Sequence, residues 1–365
     1  MSRISRWARS VALGAIVAAV PVAAAQPAAA SEPVGHVFVQ TNDAAGNAVV
    51  AFDRGADGSL TLEGTFATGG LGTSAGLGDQ AALAITADEQ HLLAVNAGSD
   101  DVSLLDVTDD GLEVADVQAV GDRPVSVAVH GNLVYVLNQG ADTIQALRIT
   151  DEDTLVSIPR STRPLSGTGT DAAEVAFSPD GGLLAVTEKA TQTIDTYVVR
   201  PNGRAVGPNV QDSSGATPFG FQFGPDGRLY VSEAPASAVS SYDVDGEGTL
   251  DVISASVTNN QAAACWLVVT EDGRFAYTAN AGTANVSQYT IASSGAVTLV
   301  GDGASGTTGT GPVDLDVSDG DGYLYVLARG DRSISAFSID DGDGSLTTIA
   351  GPSGLAAGLV GLVAV

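Results

Sequence analysis

Short apolar runs separated by polar, glycine-bearing turns recur along almost the whole chain, and they recur in a fixed order. Residues 273–299 read GRFAYTANAGTANVSQYTIASSGAVTL: a strand ending in Asn280, a Gly-bearing loop, a second strand ending near Ile291, a polar turn, and a third strand. The same order starts at Gly131 as GNLVYVLNQGADTIQALRITDEDTLVSI and at Gly322 as GYLYVLARGDRSISAFSIDDGDGSLTTI. Self-similarity at such a period marks an array of one supersecondary unit. Aligned on the strand that ends in a polar residue, the column is Thr41 or Asn42, Asn96, Asn138, Glu188, Glu233, Asn280 and Ala328. Its last six members stand 42, 50, 45, 47 and 48 residues apart. Four short antiparallel strands fit each period, which is a propeller blade.

In the third repeat, strand a is read at 125–129, strand b at 133–138 and strand c at 143–149, with strand d starting at Leu155. The first turn is spelled Ser178-Pro179-Asp180-Gly181, Gly224-Pro225-Asp226-Gly227 or Glu271-Asp272-Gly273 in other repeats, and the second as Asp57-Gly58, Asp245-Gly246 and Asp343-Gly344. Asp-Gly supplies the positive φ that tight hairpins need. The first repeat begins at His36 with a b-like strand and lacks strand a, while the chain ends in GLVGLVAV, residues 358–365. These halves predict an all-β, seven-bladed propeller of four-stranded antiparallel blades, a single domain over residues 31–365, closed by a C-terminal strand that completes blade 1. Closure removes sheet edges that would otherwise template association. The Gly/Thr/Ser-rich stretches 301–311 and 166–170 read as surface loops; the GTTGTG run in the first lacks the lysine of a phosphate-binding loop.

In such a blade the b-to-c and d-to-a connections share one face, and the Asp-Gly hairpins take the other. The polar column therefore ends on the loop face. Glu188 and Glu233 on that column, with Glu174 on the inner strand of blade 4, are candidate catalytic carboxylates. Lys189 (the only lysine), Arg123, Arg163, Arg329, Asn138 and Asn280 are candidate substrate-binding groups. A carboxylate can act as a general base beside cations that clamp an anion. The same polar ends can instead hydrogen-bond neighbouring loops and lock the blades together. The stretch 243–247 has calcium-loop spelling, but Ser254 stands where the closing carboxylate belongs, so a hairpin turn is expected.

Arg3, Arg6 and Arg9, an apolar run over residues 11–20 and the Ala28-Ala29-Ala30 end predict a signal peptide over residues 1–30, with cleavage after Ala25 as the alternative. Its removal leaves 12 basic and 43 acidic residues, a formal charge of −31. Such a surface excludes nucleic acid and anionic membranes as partners. The location expected is secreted, periplasmic or cell-envelope, with no membrane span after cleavage and a monomeric state. Cys265 is the only cysteine and sits among apolar neighbours, a buried small hydrophobe with no disulfide partner. His36, His91 and His130 lie far apart in sequence without spaced partners, and no cofactor motif is present, so neither metal nor cofactor is expected.

The segments Phe177-Ser178-Pro179-Asp180-Gly181, Leu133-Val134-Tyr135-Val136-Leu137-Asn138, Leu229-Tyr230-Val231-Ser232-Glu233-Ala234 and Ala264-Cys265-Trp266-Leu267-Val268-Val269-Thr270 carry a resemblance over residues 31–365. The chain resembles the lactonase-like seven-bladed propellers, which include propeller-type 6-phosphogluconolactonases and 3-carboxy-cis,cis-muconate cyclases, and is similar to their exported bacterial branch. The resemblance implies hydrolysis or cyclisation of a small lactone or carboxylate, with a small anionic or sugar-like ligand at the channel. One departure is visible: where the family carries a histidine just before the SPDG blade, this chain has Asp171-Ala172-Ala173-Glu174. That departure keeps a second reading alongside, a non-catalytic exported module binding a peptide, glycan or envelope partner.

Overall fold

The computed structural model describes residues 33–365; the expected signal peptide and both of its cleavage points lie outside the described residues. Seven antiparallel sheets follow one another in chain order. Their innermost strands are Leu83–Ile85, Pro124–His130, Ala172–Phe177, Pro218–Phe223, Ala264–Val269, Pro312–Val317 and Val360–Ala364. The last belongs to blade 1, where it pairs with Gly35–Gln40, Val37 opposite Ala364 and Val39 opposite Leu362. His36 and Val365 exchange both backbone hydrogen bonds, at 3.1 and 2.9 Å. The closure expected from the two half-repeats is thus made residue by residue.

In six of the blades the a–b register slips by one residue near the start of strand a, at Val125, Ala173, Phe219, Cys265, Val313 and Gly361. A bulge adds one residue and re-aims those that follow. Blade 2 is the exception: its inner strand is cut to Leu83–Ile85, and the residues before it leave the blade. Strand a of blade 3 is longer than the pattern suggests, Pro124–His130, whereas its strand d is short, Leu155–Ser157, and Arg163–Pro164 returns to pair with the upper half of strand c.

Blade-to-blade packing is sealed on the hairpin face by buried tyrosines. Tyr135 donates to the Gly203 carbonyl at 2.9 Å and Tyr277 to that of Gly344 at 2.7 Å, each in the c–d turn of the next blade. Burying a ring of this size is worth roughly 4 kcal/mol at about 25 cal/mol per Å². These turns need positive φ, as at Gly58 (77°) and Gly344 (71°). In the turn read as Asp245-Gly246, the left-handed residue is Gly248 (82°), because Asp245 Oδ1 accepts the Glu247 and Thr249 N–H groups and carries the turn two residues further. That carboxylate caps the hairpin turn expected there. Cys265 is buried as expected, its thiol pushed up to about 12 by burial. Among the described residues no helix is long and apolar enough to cross a membrane.

Candidate functional site

The polar column lies at the seams between blades. Asn96 accepts from Asn47 and Thr68, both at 2.8 Å, and donates to Asp101 at 2.7 Å and Ser103 at 2.8 Å. Asn280 repeats this with Asn259 as donor at 2.8 Å and Asn285 and Ser287 as acceptors at 2.7 and 2.8 Å. Asn138 accepts the Gly121 N–H at 3.1 Å. In each case the b-strand end catches the connection that leads into its own blade.

Glu188 and Glu233 follow the same rule with stronger acceptors. Glu188 is fully buried and takes the Ser166 N–H at 2.9 Å, the hydroxyls of Ser166 and Thr191, and that of Thr193 at 3.0 Å. Burial works to raise its carboxyl, but hydrogen bonds from Asp195, Ser166 and Thr191 outweigh it and hold the group below the usual range. Asp195 against it is pushed up to about 8 by burial and by Glu188. Glu233 is fully buried under Gly215 and takes the Ser240 and Ser256 hydroxyls. A Cβ on Gly215 would stand 2.0 Å from its Oε2. Both carboxylates thus sit in seams, bonded to hydroxyls that arrive from neighbouring strands and connections.

The loop-face mouth of the channel is crossed by residues 71–82, the connection from blade 1 into the shortened strand of blade 2. Gln80 reaches blade 6, donating to Leu267 O at 2.8 Å and accepting from Leu267 N at 3.0 Å, while its own N–H meets Ala173 O of blade 4 at 3.1 Å. Trp266 Nε1 donates to Asp79 O at 2.7 Å, Arg329 to Ser74 O at 3.3 Å, and Lys189 to Gly78 O. Lys189 also lies 3.4 Å from Asp171 and over the Phe219 ring. Asp79 itself is buried, within reach of the Lys189 charge. Burial pushes it up to about 7, against the pull of Lys189 and, more weakly, Arg123. Arg123 is exposed, at the start of the blade 3 inner strand. Arg163 sits on the outer rim and donates to Ala205 O at 2.6 Å, away from this cluster, because the short strand d of blade 3 leaves an edge for it to fill.

Below the crossing segment the channel narrows to a cavity of about 190 Å³ lined by Gln80, Glu174, Gln222, Asp314, Asp316 and Val363 among others. Inner strands of different blades belong to separate sheets and are not paired with one another, so their inward N–H groups need other acceptors. Glu174 takes Phe221 N at 2.7 Å, Asp314 takes Leu362 N at 2.9 Å, Asp316 takes Ala364 N at 3.0 Å, and Gln222 takes Val269 N at 2.7 Å. Burial lifts Glu174 well above the usual carboxylate range; the Phe221 bond offsets part of this, and Asp314 and Asp79 add to the rise. Asp316 is pushed up to about 7 by burial.

The sequence matches the family described as Lactonase, 7-bladed beta-propeller, over residues 45–158, 83–265 and 177–355. The chain belongs to that family. No curated protein matches it. Among solved structures this lactonase-family propeller is similar to a proposed 6-phosphogluconolactonase from Bacteroides fragilis, 22% identical, covering 90% of this chain and 97% of that one at a TM-score of 0.74. It is also similar to a periplasmic gluconolactonase from Pseudomonas aeruginosa, 19% identical, covering 90% and 98% at 0.71, and to a protein from Lactobacillus plantarum, 20% identical, covering 90% and 98% at 0.75. At these identities the likeness is one of fold.

Of the candidates named from sequence, the fold of this lactonase-family member gathers Lys189, Arg123 and Arg329 around the crossing segment and places Glu174 beneath it. It assigns Glu188, Glu233, Asn138 and Asn280 to seams. Asp79, Asp314 and Asp316 were missed. The last two carried a signal, since Pro312-Val-Asp-Leu-Asp-Val is a period-two alternation with acids on one face of an inner strand.

Proposed function

We propose that this protein hydrolyses a small lactone at the loop face, with Asp79 as general base and Lys189 and Arg123 as the cationic partners. The observation that carries this reading is the placement of Asp79, buried next to Gly78, whose carbonyl takes the only lysine of the chain, with burial pushing its carboxyl up to about 7. A base of that pKa suits proton transfer at neutral pH. Asp79 takes a proton from water as the oxygen attacks the lactone carbonyl, and Lys189 stabilises the oxyanion. Collapse breaks the ring C–O bond, and the proton on Asp79 returns to the leaving alkoxide, giving a hydroxy acid. Two Lys189 donors are engaged by Gly78 and Asp171, which aim the ammonium and leave a third for substrate. Family membership and fold likeness to a protein described as a periplasmic gluconolactonase support a sugar-lactone substrate and an exported location.

The test is hydrolysis of gluconolactone followed by pH-stat. Asp79→Asn and Lys189→Met are expected to lower kcat/KM by about 10²-fold or more with folding retained, while Glu188→Gln leaves it near the parent value. Absence of any rate above buffer hydrolysis defeats the proposal. It would leave the second reading, an exported module that binds a sugar-like or envelope ligand, which the capped channel favours.

A further inference from the structure

Blade 1 carries a cluster outside the site described above. His36 on strand b faces Asp53 across the b–c ladder. The same pair recurs at the same register in blade 2, where His91 Nδ1 is hydrogen-bonded to Asp106 at 3.0 Å. In blade 1 the pair is open instead. His36 Nδ1 stands 3.6 Å from Asp53 Oδ1 and 3.9 Å from Glu63 Oε2, and this nitrogen is sealed from solvent without a hydrogen bond. Glu63 reaches it through a bulge: Ala51 faces Gly64 and Phe52 faces Leu62, so Glu63 is the extra residue on strand d. The donor atoms of the three side chains all lie within 4.8 Å of one another.

An imidazole nitrogen with no hydrogen-bond partner, between two carboxylates carried on three adjacent strands, is a donor set that one cation can bridge. The ligand set of one nitrogen and two carboxylate oxygens suits a borderline first-row divalent ion, with remaining positions for water. We propose that His36, Asp53 and Glu63 form a binding site for a divalent transition-metal ion such as Zn²⁺. The site is coupled to ring closure. The His36 main chain exchanges both hydrogen bonds with Val365, and Arg54, next to Asp53, donates to Val365 O at 2.8 Å. An ion held by strands b, c and d therefore stiffens the blade on which the two ends of the ring meet. The ligands fall 17 and 10 residues apart on successive strands, which is why no compact ligand motif announces them.

The test uses untagged protein freed of metal by a chelator, then titrated with Zn²⁺ by calorimetry and with Co²⁺ by visible absorbance. One equivalent is expected to bind, with ligand-field bands for Co²⁺ and an unfolding midpoint raised by several degrees by Zn²⁺. Binding is expected to be lost in His36→Gln and in Glu63→Gln, and kept in His91→Gln. Glu63 is on the outer strand, so its substitution keeps the test independent of folding, which circular dichroism checks. Absence of saturable one-equivalent binding, survival of binding in either of the first two variants, or its loss in His91→Gln overturns the proposal.

Discussion

The Tyr325 hydroxyl donates to the carbonyl of Gly58 at 2.8 Å, joining blade 7 to blade 1 across 267 residues of sequence. It is the ring-closing copy of the bonds that Tyr135 and Tyr277 make within the array. Tyr325→Phe keeps the ring and deletes the donor, leaving a buried carbonyl unpaired. The expected loss is about 1–3 kcal/mol, read as a lower urea midpoint at unchanged slope.

Removing residues 359–365 deletes the inner strand of blade 1 and exposes the edge of Gly35–Gln40, whose residues Val37 and Val39 are fully buried. The expected outcome is loss of the cooperative transition in calorimetry, with association through the freed edge seen by light scattering.

Glu188→Gln tests the locking role. An amide cannot accept at both ends, so part of the shell of Ser166, Thr191 and Thr193 loses its acceptor. A loss of about 1–3 kcal/mol is expected, with lactone turnover unchanged. Equal stability in thermal melts, or a collapse of turnover at unchanged stability, contradicts this role.

The channel carboxylates give stability an inverted pH dependence. Asp79 and Asp316 are pushed up to about 7, and Glu174 and Asp314 also stand raised, all by burial. Between the ordinary carboxylate pKa near 4 and these raised values the folded state holds protons that the unfolded chain releases, so stability falls as pH rises through that window. Glu188 and Asp142 are shifted the other way, and their contribution is lost only as pH drops below the ordinary range. Thermal midpoints are expected to rise from pH 7.5 to 5 and to fall below about pH 4. Asp316→Asn is expected to flatten the upper part of this profile.

Lactone turnover has its own pH signature. With Asp79 as base, kcat/KM is expected to rise as pH passes through about 7, the value to which burial lifts that carboxyl. A profile flat from pH 5 to 8.5, after subtraction of buffer hydrolysis, contradicts the assignment.

The ring itself was legible because each blade repeats both its apolar strands and its turn chemistry, and because the missing strand of the first repeat matched the orphan strand at the end. The polar column was legible as a column, and both of its roles were visible; what distinguished them was the position of Ser166, Gly215 and Ser256, which arrive from other strands and connections. The crossing of the channel by residues 71–82 was not legible. Its Gly, Leu and Ser residues have no period, and its partners Leu267, Trp266 and Lys189 lie more than a hundred residues away. Asp79 and Gln80 before a truncated inner strand were the one local hint.

With Gln80 bonded to Leu267 of blade 6 and Ala173 of blade 4, one mouth of the bore is bridged by the chain itself. A small molecule held in the cavity beneath it would face the carboxyl groups of Glu174, Asp314 and Asp316, with no lysine or arginine among the lining residues.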